Sequence, residues 1–515
     1  MRIGIDVGGT NTDAVLTEGG QVRSTAKTST TPDVTTGISR AVDMLRRQAQ
    51  FDPADIQAVM IGTTHFVNAL VEAKGLAPTA AIRFALPATS GLPPLIAWPE
   101  RLVAAIKGRS YLCHGGHEFD GRTISPFDEG EVVAAVEDAV DNGIRSIAIS
   151  SVFSPVNAEF ERQAEELITS RFPGVHVSLS HEIGRMGLLE RENATVINGC
   201  LRDVAEHVCT ALGDALNRAG ISAPLFLSQN DGTLMDIGFT RRYPVATFAS
   251  GPTNSMRGAA YLSGVDQCVV VDIGGTTTDV GMLQSGFPRE AATEVEVAGV
   301  RTNFRMPDVL SIGIGGGSRV LRNGPVTVGP DSVGYQVTQQ ALVFGGDTLT
   351  ATDIAVAAGR ADIGDPARVA HLDKTLVSTA LEHIAHGIQD VVDRMRTSPT
   401  PVPVVAVGGG SILVPDELDG ATKVLRPEHF AVANAVGAAM AQIGAEVDRV
   451  FSVAPGTRDA VLDQARQEAV AKAVAAGAEP STVHIVDVDE VPLAYLPGNA
   501  TRIRVKAAGD LAATS

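Results

Sequence analysis

The pattern D-x-G-G-T-x-T-D occurs twice in this chain, and each copy follows a short apolar run. The first copy lies in IDVGGTNTDAVL, at residues 5–16, and the second lies in VDIGGTTTDVGM, at residues 271–282. Apolar residues on both sides of a Gly-Gly pair predict a strand, a turn and a second strand. Because two such hairpins lie far apart in a chain of 515 residues, the sequence predicts two related halves with one copy each.

The two copies share six of their eight residues, which favours a common ligand over two unrelated turns. Neither copy is a P-loop, G-x-x-x-x-G-K-[ST], and neither opens a helix as a dinucleotide-binding G-x-G-x-x-G motif does. Glycine lets the backbone approach a ligand without an intervening Cβ, and the N–H groups and Thr hydroxyls of such a turn can donate to phosphate oxygens. We therefore predict a polyphosphate that is held from both sides by two facing hairpins.

An aspartate ends the first strand of each copy, Asp6 in one and Asp272 in the other. A carboxylate in direct contact with a phosphate would repel it, and a Mg²⁺ ion with its waters between the two groups would remove the repulsion. The sequence thus predicts that Asp6 and Asp272 bind Mg²⁺ through water. Asp13 and Asp279, which close the pattern, either position a water or the metal shell or only cap the hairpins.

The composition suits an α/β enzyme of several domains, because 44% of the residues are hydrophobic, 53 are glycine and only 4% are aromatic. A net charge of −18 argues against nucleic acid and anionic membranes as partners, although it leaves a small anionic ligand open. The chain begins MRIGID, without the regions of a signal peptide, and no apolar run reaches the roughly 18 residues of a membrane span. We expect a soluble, cytoplasmic protein.

The four cysteines form no C-x-x-C pair, which favours a reducing compartment and structural roles for all of them. One Gly-rich loop gathers Cys113, His114, His117, Glu118 and Asp120. These residue types suit zinc, but their spacing matches no standard structural site. A metal site and a plain surface loop both remain open, and the sequence favours the loop.

The order of the predicted strands and helices divides the chain into three parts. Residues 1–185 are predicted to form a first lobe, with an irregular insertion around 76–130 that is rich in Pro and Gly. Residues 186–448 are predicted to form a second lobe that starts with a long helix over 188–219. The tail, 449–515, is predicted to form a small C-terminal α/β subdomain.

The paired hairpins resemble the first and second phosphate motifs of the actin, hexokinase and heat-shock ATPase superfamily. In the same scheme, VVAVGGGS at 404–411 resembles the adenosine motif, SGPTNSMRGAA at 250–260 the first connecting segment, and ANAVGAA at 433–439 the second connecting helix. The resemblance implies an α/β fold of two RNase H-like (actin-like ATPase) lobes with a nucleotide cleft between them.

Further landmarks, spread over nearly the whole chain, are similar to those of the hydantoinase A / 5-oxoprolinase family. They are GTTHFVNALVEAKG at 62–75, SHEIGRMGLLERENATVINGCL at 180–201, GIGGGS at 313–318 and VGPDSVGY at 328–335. This resemblance implies an amidohydrolase subunit in which ATP phosphorylates the carbonyl oxygen of a cyclic amide such as a hydantoin or 5-oxoproline. It also implies Mg²⁺ as a cofactor, a possible B-type partner subunit and a homo- or hetero-oligomer.

Two other functions stay open for a chain of this fold. One is a kinase for a sugar or a small acid, and the other is a reactivating ATPase that remodels a partner protein. The family usually has a His where this chain has Ile61, so the landmarks leave the substrate open.

The predicted nucleotide contacts come from the two turns and from the glycines after the apolar run at 404–407. The phosphate contacts are Gly8, Gly9, Thr10, Asn11, Thr12, Gly274, Gly275, Thr276 and Thr277, and the adenosine contacts are Gly408, Gly409 and Gly410.

The predicted substrate contacts lie in three separate stretches. They are Thr63, Thr64, His65, Asn198, Gly315, Gly316 and Gly317. Each has a plainer alternative: His65 could be a satisfied loop histidine, the three glycines could form an ordinary turn, and Asn198 recurs with Glu190 and Glu192 at a spacing that also fits a solvated helix face.

Overall fold

The fold is described from a computed structural model that covers residues 1–9, 11–31, 34–291, 295–322, 324–494 and 499–512. The strands of this part of the chain are β1 (Arg2–Val7), β2 (Asn11–Glu18), β3 (Gln21–Ser29), β4 (Ala58–Thr63), β5 (Thr79–Leu86), β6 (Arg109–His114), β7 (Ser146–Ser151), β8 (His176–Leu179), β9 (Leu225–Ser228), β10 (Thr233–Asp236), β11 (Cys268–Ile273), β12 (Thr278–Gln284), β13 (Phe287–Pro288), β14 (Val295–Val297), β15 (Val300–Thr302), β16 (Val309–Ile312), β17 (Ser318–Leu321), β18 (Thr327–Ser332), β19 (Val402–Val407), β20 (Ala421–Leu425), β21 (Gln442–Ser452), β22 (His484–Pro492) and β23 (Ala500–Gly509).

The α-helices lie between these strands. They are α1 (Val34–Ala49), α2 (His65–Glu72), α3 (Glu100–Ala105), α4 (Glu129–Asp141), α5 (Glu159–Arg171), α6 (Ser180–Ile183), α7 (Leu188–Cys200), α8 (Arg202–Arg218), α9 (Ile237–Arg242), α10 (Ser250–Ser263), α11 (Val337–Gln340), α12 (Ala351–Ala357), α13 (Lys374–Met395), α14 (Ala433–Ala439) and α15 (Arg458–Ala475). The single helix predicted over 188–219 is therefore two helices that meet at Leu201.

Two sheets repeat the same local arrangement, one around each copy of the sequence pattern. In the first, β1 pairs antiparallel with β2 and parallel with β4, and in the second, β11 pairs antiparallel with β12 and parallel with β19. The full orders are β22-β23-β21-β10-β9-β4-β1-β2-β3 and β13-β12-β11-β19-β20, with β16 also beside β12. These two lobes confirm the predicted α/β class of paired RNase H-like lobes.

The alternation of residues along β1 and β11 decides what each face of the two sheets contacts. Ile3 and Ile5 pack in one core with residues of α1, and Val271 packs in another with residues of α13. The opposite faces of both sheets pack against α10 and α14, which lie between the lobes. Asp6 and Asp272 alternate with the apolar positions and therefore point toward these two helices.

The helices α10 and α14 cross at a very short distance because each has a glycine at the crossing. A Cβ built on Gly258 would lie 1.8 Å from the carbonyl oxygen of Ala433, and one built on Gly437 would lie 1.8 Å from that of Asn254. No side chain fits in either space. These are the two segments that the sequence assigned to the connecting helices.

A third sheet lies within the first part of the chain and has the order β6-β5-β7-β8, with all strands parallel. Its strands β5 and β6 fall inside 76–130, for which the Pro- and Gly-rich sequence predicts an irregular insertion. The run TAAIRFAL at 79–86 is almost entirely buried and forms a central strand, so the irregular, Pro- and Gly-rich chain is concentrated in loops such as the one between β5 and α3.

The strands that follow Phe451, predicted as a separate subdomain, extend the first sheet. β23 pairs with β21 over ten residue pairs from Ile443↔Gly509 to Ser452↔Ala500, and β22 pairs with β23 on its other side. α15 covers these strands, and its Leu462 and Ala469 are buried against Val447 and Ile503. The chain thus returns at its end to the sheet in which it began.

Candidate active site

The two copies of the sequence pattern fold into equivalent hairpins. Asp6 lies opposite Asp13 in the register of β1 and β2, and Asp272 lies opposite Asp279 in that of β11 and β12. Both turns close with the same backbone hydrogen bond, which the first glycine donates: Gly8 N–H to the carbonyl of Asn11 at 3.0 Å, and Gly274 N–H to that of Thr277 at 2.9 Å. The repeated sequence pattern therefore forms the same local structure twice.

The carboxylates of the first hairpin are held by amides from the two connecting helices. Asn254 of α10 donates to Oδ1 of Asp6 at 3.1 Å, and Asn434 of α14 donates to Oδ2 of Asp6 at 3.1 Å. The same Asn434 Nδ2 reaches Oδ2 of Asp13 at 2.9 Å, and Lys27 of β3 donates to Oδ1 of Asp13 at 2.6 Å. One amide group thus bridges the two aspartates of this hairpin.

Hydroxyl groups hold the carboxylates of the second hairpin. Ser255, the neighbour of Asn254 on α10, lies near Asp272 and lowers the pKa of its carboxyl group, and Ser311 of β16 donates to Oδ1 of Asp279. Consecutive residues of one helix therefore reach the leading aspartate of each lobe. This arrangement brings both predicted metal-binding carboxylates to the same helix.

Burial raises the pKa of both leading aspartates. It raises the pKa of Asp6 to about 6, although the hydrogen bonds from Asn254 and Asn434 lower it. It raises the pKa of Asp272 to about 7, and the negative charges of Asp279 and Asp6 add to the rise. The negative charge of one hairpin thus raises the pKa of the carboxylate in the other.

The two turns present backbone toward the space beside the aspartates. Gly9 and Gly274 are exposed, and a Cβ on Gly9 would meet no atom within 4 Å. Thr276 and Thr277 are exposed and Asn11 is partly so, whereas Thr12 is buried and lies 3.4 Å from the hydroxyl of Thr30. Thr10 lies outside the described residues.

The three glycines predicted to contact adenosine follow β19 directly and lie beside the second hairpin. Gly410 N–H donates to the carbonyl of Ile273 at 2.8 Å, and Gly408 N–H donates to that of Phe430 at 2.9 Å. Gly409 is exposed, with nothing within 4 Å of the position of a Cβ. This loop therefore adjoins the turn of Gly274 and Gly275.

Thr63, Thr64 and His65 lie beside the first hairpin. The hydroxyl of Thr64 donates to the carbonyl of Val7 at 3.4 Å, one residue before Gly8. The Thr63 hydroxyl lies 2.7 Å from Nδ1 of His65, and burial lowers the pKa of that imidazole. His65 therefore has a hydrogen-bond partner at Nδ1, and it lies near the first turn.

Gly315, Gly316 and Gly317 are buried against the second hairpin. The N–H groups of Gly316 and Gly317 donate to the carbonyls of Gly274 and Gly275 at 2.9 and 2.7 Å. A Cβ on Gly315 would lie 2.6 Å from the backbone nitrogen of Thr276, so only glycine allows this approach. These glycines therefore pack directly on the backbone of the second turn and support it.

Asn198 is fully buried on α7, and its hydrogen bonds reach the third sheet and the end of α9. Its Nδ2 donates to Ser178 Oγ at 3.1 Å and to the carbonyl of Arg242 at 2.9 Å. Glu192, on the same helix, forms a buried ion pair with Arg83. No hydrogen bond among the described residues connects Asn198 or Glu192 with the hairpins.

Sequence patterns alone did not single out the side chains that hold the aspartates. Asn254 and Asn434 lie in the two segments assigned to the connecting helices, and they interrupt runs of small residues that otherwise serve close packing. Lys27 and Ser311 lie on strands that pair with the hairpins. The two amides could have been predicted from one feature: each is a polar residue on the inner face of a helix that crosses between the two lobes.

The described residues contain no group of three or more His, Cys, Asp or Glu side chains placed to hold a metal ion. In the loop considered for zinc, Cys113 is buried, His114 pairs with Glu131 at 2.7 Å, and His117 stacks on Phe160. Over the described ranges, no helix combines the length and apolar character needed to cross a bilayer.

Comparison with known proteins assigns the chain to a family. Residues 2–172 match the family model of the hydantoinase/oxoprolinase N-terminal region, and residues 191–365 match that of hydantoinase/oxoprolinase. The chain belongs to the hydantoinase/oxoprolinase family. The resemblance inferred from the sequence motifs is thereby confirmed.

The relatives that match this chain carry different names. Caprolactamase subunit alpha of Pseudomonas jessenii is 28% identical over 391 residues, which cover 70% of this chain and 54% of the relative. The acetophenone carboxylase gamma subunit of Aromatoleum aromaticum is 28% identical over 396 residues, covering 69% and 53%. The chain thus spans about half the length of these relatives.

Solved structures show the same fold over the whole chain. The crystal structure of an ATP-dependent caprolactamase from Pseudomonas jessenii has a TM-score of 0.79 at 19% identity and covers 99% of this chain and 87% of that one. A nucleotide-free structure of acetone carboxylase has a TM-score of 0.65 at 17% identity, covering 100% and 88%. At these identities the likeness concerns the fold of the family.

Proposed function

We propose that the chain is a subunit of an ATP-dependent hydrolase that phosphorylates the carbonyl oxygen of a cyclic amide, such as a hydantoin or 5-oxoproline, and thereby opens the ring. Family membership supports this reaction class, since one relative is a caprolactamase and another, from Saccharomyces cerevisiae, is a 5-oxoprolinase. Several relatives are named as subunits, which supports a B-type partner subunit for this chain.

The observation that carries the proposal is the pair of equivalent hairpins whose leading carboxylates meet at one helix. Asp6 and Asp272 come from separate lobes, yet adjacent residues of α10 reach them: Asn254 donates to Asp6, and Ser255 lowers the pKa of Asp272. The charge of Asp6 raises the pKa of Asp272, so two negative groups are held near each other. A nucleotide polyphosphate with a divalent cation is a ligand that such a pair of turns and carboxylates can hold from both sides.

The residues present fit Mg²⁺ and ATP. Mg²⁺ commonly keeps several waters and takes only one or two protein carboxylates, so Asp6 and Asp272 suffice without a larger ligand cluster. The exposed turns around Gly9 and Gly274 offer backbone N–H groups to phosphate oxygens, and the loop at 408–410 offers open backbone to the adenosine. The bound cation would neutralise charge on the phosphates during transfer.

The chain's own groups would position the reaction rather than form covalent bonds. An amide is a poor electrophile because resonance places charge on its oxygen, and that oxygen is also the atom that can accept a phosphoryl group. Transfer gives an O-phosphorylated imidate, and water adds to its carbon. The ring C–N bond then breaks as the nitrogen takes a proton and leaves as the amine, which gives a ring-opened acyl phosphate. A second water attacks the carbonyl carbon of that acyl phosphate and releases inorganic phosphate, which carries the oxygen of the original amide. In this scheme Asn434 and Lys27 keep Asp13 and Asp6 in place, and Thr63, Thr64 and His65 lie on the acceptor side of the first turn.

An isotope experiment tests the proposed chemistry directly. The protein, with its partner subunit where one is required, is given Mg-ATP and a hydantoin or 5-oxoproline whose carbonyl oxygen is ¹⁸O. If the amide oxygen is phosphorylated before ring opening, the label appears in inorganic phosphate in proportion to the ring-opened product. The variant Asp272→Asn should form neither product.

The other outcomes point to the other functions. A stable phosphorylated product with no ring opening would replace the proposal with a kinase. ADP release that depends only on a partner protein, with no change in the amide, would favour a remodelling ATPase. Ring opening with unlabelled phosphate would exclude release of phosphate with the amide oxygen, the route proposed here, while keeping the amide as substrate.

A further inference from the structure

Lys27, on β3, places an ammonium group beside the first hairpin. It lies opposite Asp13 in the register of β2 and β3, and its Nζ donates to Oδ1 of that aspartate at 2.6 Å. The side chain of Asp13 is almost fully buried, whereas 41% of the Lys27 side chain is exposed. The ammonium group therefore covers a buried carboxylate and remains accessible on its other side.

The ammonium group has a second fixed contact. Its Nζ donates to the carbonyl of Ala431, in the segment before α14, at 3.3 Å. Asn434 of α14 donates to Oδ2 of Asp13 at 2.9 Å, so both oxygens of that carboxylate have donors. A lysine ammonium has three N–H groups. Among the residues that the structure describes, Asp13 and Ala431 accept two of them, and no acceptor is found for the third.

The charge of Lys27 acts on the leading carboxylates of both lobes. Burial, the largest effect, raises the pKa of Asp6 and of Asp272, and the positive charge of Lys27 lowers both values. A ligand held between the two hairpins would lie near the same positive charge. Because each hairpin contributes two aspartates, a polyphosphate at this place needs positive charge in addition to the N–H groups of the turns.

The position of the loop proposed to contact adenosine indicates which phosphate lies nearest to Lys27. This loop, at 408–410, adjoins the second hairpin, since the N–H of Gly410 donates to the carbonyl of Ile273 at 2.8 Å. An adenosine at this loop starts the polyphosphate on the side of the second lobe, so the terminal phosphate lies toward the first hairpin. Lys27 and the residues proposed for the acceptor side both lie beside that hairpin.

We propose that Lys27 is a further catalytic residue, whose third N–H donates to an oxygen of the terminal phosphoryl group of ATP. The inference rests on the proposed function and deepens it, since it assigns a phosphate contact to a side chain outside the two turns. A carboxylate and a carbonyl hold the ammonium group before the nucleotide binds, so the group needs little reorganisation during transfer.

The role of Lys27 in this scheme concerns charge and not proton transfer. The bond between the γ-phosphorus and the oxygen that bridges it to the β-phosphate breaks, and this oxygen keeps the electron pair as part of ADP. A bond forms between the γ-phosphorus and the amide oxygen, and the ring nitrogen releases its proton to water. Lys27 keeps its three protons and stabilises the charge on the phosphoryl oxygens, a role that suits a compact point charge.

Nucleotide binding without any amide tests this contact in the absence of turnover. Titration calorimetry with Mg²⁺ compares ADP with the non-hydrolysable β,γ-imido analogue of ATP, which carries the terminal phosphoryl group. Lys27→Met should lower the ratio of the affinity for the analogue to that for ADP about tenfold, the scale of one lost charge-assisted hydrogen bond. Lys374→Met, at the exposed first position of α13, is the matched control and should leave both affinities unchanged.

Two further variants separate a phosphate contact from a structural role of the ammonium group. Lys27→Met leaves Asp13 without its counter-charge, whereas Lys27→Met/Asp13→Asn has the net charge of the unsubstituted protein, and its affinity ratio should stay about tenfold low. Lys27→Cys should show the same low ratio, and alkylation with 2-bromoethylamine, which restores an ammonium group at this position, should bring the ratio back. The four native cysteines are buried, and the unsubstituted protein given the same treatment is the control.

An unchanged affinity ratio in Lys27→Met, a normal ratio in the double variant, or no recovery after alkylation of Lys27→Cys would each overturn the inference. If Lys27→Met does not fold, Lys27→Cys before and after alkylation still decides. A low ratio in Lys27→Met, in a protein that opens no cyclic amide, would keep the inference and remove the proposed function. Ring opening with labelled phosphate, together with an unchanged ratio in Lys27→Met, would do the reverse.

Discussion

Nδ2 of Asn254 donates a 3.1 Å hydrogen bond to Oδ1 of Asp6, although 248 residues separate the two in sequence. The bond joins a helix between the lobes to the first hairpin. It also favours the ionised form of a carboxylate that burial pushes toward the protonated form, with a pKa of about 6. The amide therefore controls both the position and the charge of Asp6.

Removal of this amide should shift the pH dependence of ATP turnover. Asn254→Ala leaves Asp6 buried without one of its two donors, so its pKa should rise above about 6 and the acidic limb of the pH–rate profile should move to higher pH. Steady-state ADP formation between pH 5.5 and 8.5 measures the shift. Asn217→Ala, at an exposed position of α8, should keep the original profile; a profile that is also unchanged in Asn254→Ala would show that Asp6 is not the titrating group.

The second carboxylate should be required for turnover itself. Asp272→Asn keeps the shape of the side chain and removes the charge proposed to hold Mg²⁺, so ADP formation should fall by about a hundredfold or more. Asp266→Asn, which changes an exposed aspartate just before β11, is the matched control and should retain activity. Near-normal turnover of Asp272→Asn would contradict the assignment of the two hairpins as a phosphate clamp.

The paired hairpins could be predicted from sequence because a turn of this kind is local: two strands and a Gly-Gly pair contain all the residues that form it. The helices that hold Asp6 could be placed by resemblance, but the role of Asn254 and Asn434 could not, since it depends on contacts across hundreds of residues. Gly315 illustrates the same limit, because a glycine needed for close approach does not reveal which backbone it approaches.

The two raised pKa values predict an unusual pH dependence of stability in the absence of nucleotide. In the unfolded chain both aspartates titrate near 3.8, and in the folded protein Asp6 titrates at about 6 and Asp272 at about 7. Between about pH 4 and 7 the folded state binds more protons, so these two groups make the free energy of unfolding fall as the pH rises. Urea midpoints at pH 5 and pH 8 measure this effect.

The double variant Asp6→Asn/Asp272→Asn is the control for that measurement. It removes both titrations, so its midpoint should fall less between pH 5 and pH 8 than that of the unsubstituted protein. Mg²⁺ with a non-hydrolysable ATP analogue should raise the midpoint at pH 8 only in the unsubstituted protein, because a ligand of the folded state stabilises it by mass action. The same slope in both proteins would assign the pH dependence to other groups.

The buried ion pair between Arg83 of β5 and Glu192 of α7 should contribute to stability rather than to turnover. Nε and Nη2 of Arg83 donate to Glu192 at 2.7 and 2.6 Å, and Ser150 donates to the same carboxylate. Glu192→Gln leaves a buried guanidinium without its counter-charge and should lower the free energy of unfolding by about 3–5 kcal/mol, measured in urea. Glu190→Gln, on the same helix, should change it little; an equal loss in both variants would contradict the special role of the pair.

The crossing of α10 and α14 should tolerate no added methyl group. A Cβ on Gly437 would lie 1.8 Å from the carbonyl oxygen of Asn254, so Gly437→Ala must push α10 away and displace the amide that holds Asp6. We expect a loss of about 1–3 kcal/mol in the free energy of unfolding, together with slower ADP formation. Gly213→Ala is the matched helical control, because a Cβ there meets no atom within 4 Å and alanine should stabilise α8 by about 0.5–1 kcal/mol. If Gly437→Ala kept both stability and turnover, the close contact of the two helices would not be what positions the first carboxylate.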